Sequence, residues 1–305
     1  MPKICYTPKN FRAATLGQIA IANAIIEDYH AQGFDLTLRQ LYYQMVARGH
    51  IENSERSYKN FGNVIDDGRL AGLIDWSRIV DRTRKLRENG HWSDPASIIG
   101  SAAASFQIDK WAGQAYRVEV WVEKDALIGV VEVAARRLDI PYFACRGYTS
   151  QSEMWAAAQR LARWQRRGQT PVILYLGDHD PSGIDMTRDV IDRLDLFAGG
   201  FQVDRLALNW NQIEQFNPPP NPAKMTDSRA QGYIAQFGLE SWELDALDPA
   251  TLTGLIESAV LTFRDEDAWA EAVAEEEEGL DLLRAVSDQW EDVADYLRNG
   301  DDDDD

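Results

Sequence analysis

The stretch PVILYLGDHDPSG, residues 171–183, joins a short apolar run to a loop that contains two aspartates. The run is rich in β-branched and aromatic side chains and ends at a glycine, which favours a buried strand. Asp178 and Asp180 are two positions apart, so their carboxylates point to the same side of an extended chain. The stretch therefore predicts a polar site at the end of a buried strand. An open alternative is that both aspartates are ordinary loop and helix-capping residues.

Strand-like and helix-like segments alternate on both sides of this stretch. The predicted strands are residues 117–123, 141–147, 171–178 and 201–208, and the predicted helices between them are residues 126–138, 151–168 and 183–197. Apolar strands that alternate with helices are typical of an open, mostly parallel α/β sheet. Ligands of such sheets bind beyond the carboxyl ends of the strands. The two aspartates lie in this position.

A third carboxylate is expected at the same edge of the sheet. Glu123 ends the first predicted strand and is followed by Lys124. Three carboxylates this close repel one another, so they need protonation or a bound cation. Oxygen-only ligation suits Mg²⁺ or Mn²⁺. The sequence therefore predicts a metal site formed by Glu123, Asp178 and Asp180.

The N-terminal third has a different pattern, with three helices and no long apolar strand. The first predicted helix, residues 12–31, ends near Gly33; the second begins at the N-cap Thr37 and stops at Gly49. Ser54 is the predicted N-cap of the third. The segment DWSRIVDRTR, residues 75–84, then has a short apolar stretch flanked by charges, as in a strand and wing. A winged helix-turn-helix is favoured over a generic three-helix bundle.

Charge is distributed unevenly along the 305 residues, whose net charge is −19. Residues 201–305 contain 6 basic and 26 acidic side chains, so the acidity belongs to the last third. The first third has a local basic run instead, which is the pattern of a nucleic-acid contact. The chain has two cysteines and neither an apolar leader nor a membrane-length apolar run, so a cytoplasmic protein is expected, associated with the nucleoid when bound to DNA.

Two motifs on the predicted sheet resemble a known family. WVEKDAL, residues 121–127, and YLGDHDPSG, residues 175–183, look like the Toprim domain of topoisomerases, primases and some nucleases. Their E-K-x-A-[LV] and D-x-D-P-x-G forms are similar to the A subunit of topoisomerase VI and the meiotic double-strand-break transesterase. In that family a winged-helix (CAP-like) domain precedes the Toprim domain and carries T-x-R-D-[IL]-[YF]-Y. TLRQLYY, residues 37–43, matches this form except at Gln40.

The resemblance covers roughly residues 12–250 and implies a function. Glu123 and Asp178 correspond to ligands of a first Mg²⁺, and Asp180 is shared with a second. Tyr43 corresponds to the nucleophile that becomes joined to a 5′ phosphate of double-stranded DNA. The family implies a homodimer in which the tyrosine of one protomer meets the metal of the other. It also implies a separate ATPase B-type subunit, since the chain has no glycine-rich phosphate loop. The enzyme class that the resemblance implies is a type IIB-like DNA topoisomerase.

Helical geometry gives an independent reason to choose between the adjacent tyrosines Tyr42 and Tyr43. One apolar stripe along the predicted second helix consists of Leu38, Leu41, Tyr42, Met45 and Val46. Tyr42 therefore belongs to the core. Tyr43 is roughly 100° further round the helix, outside the stripe. Arg39 is one turn earlier on the same flank, where it could hold a phosphate bidentately and stabilise a phenolate. The alternative is an exposed tyrosine beside an exposed arginine.

Further residues are predicted to contact DNA. They are Lys124, Arg56 and Lys59 on the third helix, Arg82, Arg84 and Lys85 in the basic run, and Arg146 after the second strand. Phosphate contacts of this kind position a duplex without reading its sequence. A solvated helix face is an equally good explanation for Arg56 and Lys59.

The predicted architecture has five parts. These are a winged-helix domain at residues 1–92, a linker helix at 93–115, a Toprim domain at 116–215, a mainly helical C-terminal extension at 216–296 and an acidic disordered tail at 297–305. Two other functions remain open. One is a Toprim endonuclease that hydrolyses DNA without Tyr43, and the other is a DNA-binding or regulatory protein whose Toprim fold is only structural.

Overall fold

Three helices form the N-terminal part of the protein, as predicted. The computed structural model describes residues 3–80 and 89–299. The helices are α1 (Ala13–Ala31), α2 (Leu38–Ala47) and α3 (Glu55–Leu70). Gly33 and Gly49 follow α1 and α2 with φ of 88° and 73°, a backbone region open mainly to glycine, which explains why these helices stop there.

The predicted wing is only partly within the described residues. Between α3 and residue 80, the backbone makes two isolated bridges, one between Ala71 and Cys5 and one between Ile79 and Leu36, and no longer strand pairing. The rest of the segment DWSRIVDRTR lies outside the described residues. The three-helix arrangement is confirmed, whereas the winged helix remains a prediction.

A four-stranded parallel sheet follows the N-terminal helices, and it confirms the predicted α/β class. Its strands, in the spatial order β2-β1-β3-β4, are β1 (Tyr116–Val122), β2 (Tyr142–Ala144), β3 (Thr170–Leu176) and β4 (Gln202–Ala207). All three strand pairs are parallel, so the four carboxyl ends meet at one edge. The last five residues of β1 and the last six of β3 are buried, as expected for central strands covered on both faces.

Helices connect the strands and follow the sheet as far as Asn299. α4 (Pro95–Ser105) precedes the sheet and is shorter than the predicted linker helix of residues 93–115. The helices between strands are α5 (Ile128–Leu138), α6 (Gln151–Arg166) and α7 (Pro181–Phe197). After the sheet come α8 (Trp210–Phe216), α9 (Ala230–Phe237), α10 (Pro249–Leu261), α11 (Glu266–Asp288) and α12 (Trp290–Asn299). Two short strands, β5 (Asn221–Pro222) and β6 (Glu240–Ser241), pair antiparallel between α8 and α10.

The described chain divides into two compact units. One contains the N-terminal helices together with residues 116–263, and the other contains residues 89–115 together with residues 264–299. In the second unit α4 packs on α11, so the predicted linker associates with the C-terminal helices. In the first unit α2 packs on residues 244–246, which follow β6 and form one turn of 3₁₀ helix. The predicted domain boundaries separate the N-terminal helices from the sheet, whereas both belong to one compact unit, in which the buried side chains of the N-terminal helices cluster with Ala246.

Candidate functional site

The second helix begins with a capping box that accounts for Gln40. The Gln40 backbone N–H donates to the Thr37 hydroxyl, 3.3 Å away, and the Thr37 backbone N–H donates to Gln40 Oε1 at 2.9 Å. Thr37 and Gln40 thus satisfy each other's backbone donors at the helix N-terminus. The residue that departs from the family motif therefore has a structural role here.

Tyr42 is a core residue, as predicted. Its ring is 3% exposed and packs edge-on against Tyr58. Its hydroxyl accepts a hydrogen bond from the Ser54 backbone N–H at 2.9 Å and lies 3.1 Å from the Ser54 carbonyl oxygen. Tyr42 thereby fixes the N-cap of α3 relative to α2.

Tyr43 is buried, and the prediction that it turns outward from the core was wrong. Its side chain is only 5% exposed. The physical reason is that the second flank of α2 is covered by segments that lie about 200 residues later in the chain. Burial, together with the negative charge of Glu243, raises the pKa of Tyr43 to about 12, although a hydrogen bond with Asn221 and the nearby Arg39 oppose the shift.

Arg39 leads from α2 to two acidic residues that the sequence prediction missed. Its guanidinium lies 5.9 Å from the centre of the Tyr43 ring, so the two side chains are neighbours as predicted. The same guanidinium forms an ion pair with Glu243 and places Nε 2.9 Å from Asp245 Oδ2. Asp245 has a fully buried side chain, and its Oδ1 has no hydrogen-bond partner. The missed signal is the alternating acidic pair in SWELDAL, residues 241–247.

Lys124 connects these acidic residues to the end of β3. Its ammonium lies 2.8 Å from Asp178 Oδ2, 2.8 Å from Glu243 Oε2 and 3.7 Å from Asp245 Oδ2. Burial alone would lower the pKa of Lys124, but the three carboxylates raise it above its usual range. Burial would likewise raise the pKa of Glu243, but Lys124 and Arg39 lower it to about 2. Both groups are therefore charged at neutral pH.

Glu123 and Asp178 meet at the carboxyl edge of the sheet, as predicted. The Asp178 backbone N–H donates to Glu123 Oε2 at 2.9 Å, and the Leu244 backbone N–H donates to Asp178 Oδ1 at 2.8 Å. Burial raises the pKa of both carboxyls, and their mutual repulsion adds to the rise for Asp178, whereas Lys124 opposes it. Two close buried carboxyls with raised pKa values are a frequent property of functional sites.

Asp180 caps the helix that follows the sheet. Its Oδ1 accepts hydrogen bonds from the Gly183 backbone N–H at 2.6 Å and from the Ser182 hydroxyl at 2.8 Å, at the N-terminus of α7. This is the capping alternative considered from the sequence. Oδ1 of Asp180 is thus used as a helix cap, and only Oδ2 would be free to bind a metal ion.

Two glycines allow the loop to close around Glu123. A Cβ added at Gly177 would come within 2.9 Å of Glu123 Oε2, and one at Gly183 within 2.2 Å of the Asp178 carbonyl oxygen. A side chain at either position would therefore clash with the carboxylate or the loop backbone. The glycines of YLGDHDPSG are explained by this close approach rather than by turn conformation alone.

The carboxylate oxygens of the cluster suit a hard cation, but in this structure the positive charge beside them is the ammonium of Lys124. Carboxylate oxygens of Glu123 and Asp178 are the ligands that Mg²⁺ prefers. Within residues 3–80 and 89–299, however, no three His, Cys, Asp or Glu side chains are arranged to hold a metal ion. The ammonium of Lys124 supplies the positive charge beside Asp178 in this conformation. The assignment of Glu123, Asp178 and Asp180 to Mg²⁺ or Mn²⁺ remains a prediction.

His179, between the two aspartates, points into an aromatic cluster rather than at the carboxylates. Its ring packs against Trp210, Tyr233, Phe237 and Trp242. Its backbone exchanges two hydrogen bonds with Trp242, of 2.8 and 2.9 Å. This bridge holds the loop that contains Asp178 against the segment that contains Glu243 and Asp245.

Arg205 on β4 is a second residue that the sequence prediction missed. Its guanidinium donates to the carbonyl oxygens of Asp178 at 2.6 Å and of Gly177 and Gly183 at 3.1 Å each. One half-buried cation therefore fixes both ends of the loop. No local motif marks Arg205, because its role depends on which strand lies beside β3.

The predicted DNA contacts have different surroundings. Arg56 and Lys59 are exposed on α3, which leaves their assignment open. Arg146 is exposed and lies 3.0 Å from Asp125, so its charge is partly compensated. Lys124 is engaged with the carboxylates. Arg82, Arg84 and Lys85 lie outside the described residues.

No family model matches the chain, and no curated protein or solved structure matches it either. Among the described helices, none is both long and apolar enough to cross a membrane.

Proposed function

We propose that the protein is a DNA transesterase of the topoisomerase VI A-subunit type, with Tyr43 as its nucleophile. The observation that carries the proposal is a continuous set of ionic contacts from the tyrosine helix to the sheet. Arg39, beside Tyr43, pairs with Glu243; Glu243 pairs with Lys124; and Lys124 pairs with Asp178. The helix of the proposed nucleophile and the predicted metal ligand Asp178, distant in the sequence, are thereby linked through one set of ion pairs.

The proposed reaction is a transesterification. The Tyr43 oxygen attacks a phosphorus of duplex DNA, the bond from phosphorus to the 3′ oxygen breaks, and the phenol proton leaves with the 3′ hydroxyl product. Arg39 stabilises the phenolate and the phosphate charge, because a guanidinium can donate to both. Mg²⁺ held by Glu123 and Asp178 would supply further neutralisation of the phosphate.

The burial of Tyr43 sets a condition on this reaction. The phenol is 5% exposed and has a pKa of about 12, so a duplex phosphate does not reach it in this conformation. Asn221, which bonds Tyr43, belongs to the short strand β5 and also accepts a hydrogen bond from Asn53 at 2.7 Å. DNA binding is therefore proposed to displace this strand and expose the phenol, which removes the burial that is the largest cause of its raised pKa.

A plasmid assay tests the proposal. The protein is incubated with supercoiled plasmid and Mg²⁺ or Mn²⁺, quenched with detergent and analysed with and without protease. Breaks that depend on protease, with protein on the 5′ ends, are expected for the parent and not for Tyr43→Phe. Tyr42→Phe is the matched control, because it removes a hydroxyl from the adjacent core residue. Equal cutting by Tyr43→Phe would overturn the assignment.

A metal-dependent endonuclease is the second candidate, and the burial of Tyr43 favours it. A nuclease needs the carboxylates and a metal-activated water but not the phenol. In the same assay it would give free ends without protease, and Tyr43→Phe would cut like the parent. The homodimer, the separate ATPase subunit and the cytoplasmic location remain predictions from the sequence.

A further inference from the structure

The two edges of the parallel sheet have different charged residues near them. The predicted metal ligands lie at the carboxyl edge. At the opposite, amino edge, Thr170 at the start of β3 pairs with Tyr116 at the start of β1, and α6 ends just before Thr170. The last turn of α6 and its C-cap carry three exposed residues that we call the terminal arginines, Arg163, Arg166 and Arg167. This end of α6 is therefore basic in a chain whose net charge is −19.

The terminal arginines differ from most other arginines of the protein in having no acidic partner. Arg160, one turn earlier on α6, lies 2.6 Å from the buried Glu119, and the exposed Arg137 on α5 lies 3.1 Å from Glu257. In the part of the chain that the structure describes, no carboxylate pairs with any of the terminal arginines. Their guanidinium groups are therefore available to an anionic ligand.

An exposed tryptophan lies on the same face of α6. Trp155 is 55% exposed, whereas Met154 and Leu161 are buried against the sheet. At about 100° per residue, Trp155 lies within about 80° of Arg163 and Arg166, on the side of the helix opposite to the buried residues. Arginine and aromatic side chains on one face suit nucleic acid, because arginine binds phosphates and an aromatic ring stacks on a base.

A fourth arginine extends this surface from α6 to the sheet. Arg117 on β1 pairs with Pro171 on β3, and its guanidinium lies 5.0 Å from the centre of the Trp164 ring on α6. The neighbouring Tyr116 is 37% exposed. Basic residues at the end of a helix also interact favourably with the helix dipole. That effect does not explain Arg117, which belongs to a strand.

We propose that this amino-edge surface is a second nucleic-acid contact, in which the terminal arginines bind the phosphodiester backbone. Guanidinium groups bind phosphate through two parallel hydrogen bonds, and all three residues are arginine rather than lysine. Strand β3 has seven residues, so the two edges of the sheet are about 23 Å apart at about 3.3 Å per residue. A phosphate bound at the amino edge is therefore a different one from any at the carboxylates, and its binding requires neither Tyr43 nor a metal ion.

The salt dependence of DNA binding tests the proposal. Affinities for a fluorescent duplex and for one of its strands are measured without metal, between about 50 and 200 mM salt. The triple variant Arg163→Gln/Arg166→Gln/Arg167→Gln is expected to lower the slope of log K against log salt concentration by about 2 to 3, because each neutralised phosphate contributes about 0.9 for a duplex and about 0.7 for a single strand. An unchanged slope overturns the proposal.

A matched control removes the same charge from exposed arginines that already have acidic partners. This variant is Arg136→Gln/Arg137→Gln/Arg284→Gln, and it is expected to keep the slope of the parent. An equal fall in both triple variants overturns the proposal, because the effect then comes from net charge. A parent that binds neither probe overturns it as well. A parent that binds both probes but forms no covalent adduct in the plasmid assay overturns the transesterase and leaves this surface intact.

Two further variants identify the ligand more closely. Replacing the terminal arginines with lysine is expected to keep the salt slope but weaken binding several-fold, because lysine binds phosphate as a point charge. Trp155→Ala is expected to weaken binding of the single strand by about 5-fold or more if the ring stacks on a base, which assigns the surface to single strands. Parent-like binding of both probes by Trp155→Ala, with the slope lowered in the glutamine variant, assigns it to the duplex.

The same measurements exclude an acidic protein as the partner and a purely structural role. Polyglutamate is added as a competitor at the same charge concentration as unlabelled DNA, and it is expected to displace the labelled probe less well. Equal displacement overturns the proposal, because the surface then fits any acidic polypeptide. A lower melting temperature of the glutamine variant at an unchanged salt slope also overturns it, since the arginines then serve only the end of the helix.

Discussion

Two acidic regions of the protein have opposite surroundings. The loop after β6 contributes Glu243 and Asp245 to a buried cluster in which Arg39 and Lys124 supply the opposing charges. Helix α11 has four consecutive glutamates, residues 275–278, yet it has no buried residue. Glu275, Glu277 and Glu278 are exposed and screened by solvent, whereas Glu276 forms an ion pair with Lys110. Glu243 and Asp245 contribute little to the total charge, but because they are buried each needs a nearby positive charge. This property makes them better candidates for a functional role than the exposed glutamates of α11.

The largest expected contrast concerns activity. Asp178→Asn removes a predicted metal ligand and is expected to lower adduct formation by about 100-fold or more, equivalent to several kcal/mol of lost transition-state stabilisation. Glu277→Gln, on the exposed face of α11, is expected to leave it unchanged. Rates of adduct formation at saturating DNA measure both. If Asp178→Asn cuts DNA as fast as the parent, Asp178 is not a metal ligand needed for the reaction.

A second contrast concerns stability. Lys124→Met leaves Asp178, Glu243 and Asp245 without their shared cation, and breaking a buried pair in this way typically costs about 3–5 kcal/mol. Arg284→Met on α11 removes an exposed partner of Asp281 and is expected to change stability by about 0.5 kcal/mol or less. Denaturant unfolding monitored by circular dichroism gives both values. If the two variants lose a similar free energy of unfolding, solvent screens the charges around Lys124 as strongly as those of an exposed ion pair.

The smallest expected effect is a pH dependence of stability without metal. The pKa values of Glu123 and Asp178 are raised in the folded state by burial, so the folded protein binds protons more tightly than the unfolded chain. Their contribution to stability therefore falls as pH rises above the ordinary carboxyl pKa of about 4. Glu243, with its pKa lowered to about 2, acts in the opposite sense and loses its contribution only as the solution becomes strongly acidic.

Melting temperatures of parent and Asp178→Asn between about pH 5 and pH 8 measure this effect, because the difference between the two removes the contribution of other groups such as His179, whose pKa is lowered by burial and whose effect on stability has the opposite sign. The parent is expected to lose stability towards the higher pH, and Asp178→Asn is expected to lose less. Millimolar Mg²⁺ is expected to stabilise the parent most at the higher pH, where the carboxylates are ionised. Identical pH profiles for parent and Asp178→Asn would exclude the raised pKa of Asp178.

The sheet and the helix ends were predictable because their signals are local. Strand β3 was expected at residues 171–178 and is found at Thr170–Leu176, since an apolar run bounded by a glycine fixes it. Gly33 and Gly49 marked the ends of α1 and α2 for the same reason. The convergence of Glu123 and Asp178 followed from parallel strands ending at one edge.

The burial of Tyr43 and the roles of Glu243, Asp245 and Arg205 were not predictable in this way. Each depends on contact between segments that are distant in the chain, and helical periodicity alone places Tyr43 on an open flank. A sequence pattern indicates which face of a helix or strand is apolar, but it does not indicate which distant segment of the chain packs on the other faces. The paired acids of SWELDAL were visible but had no partner until the fold supplied Arg39 and Lys124.

The hydrogen bond from the Leu244 backbone N–H to Asp178 spans 66 residues. A fragment cut after the sheet would lack this donor, the Trp242 bridge to His179 and both acidic partners of Lys124. Its strands could still pair, but the carboxylates at their edge would face water and revert towards ordinary acids. The catalytic properties proposed for this sheet are therefore not portable: transplanting the strands and their loops onto another scaffold would transfer the motif without its electrostatics.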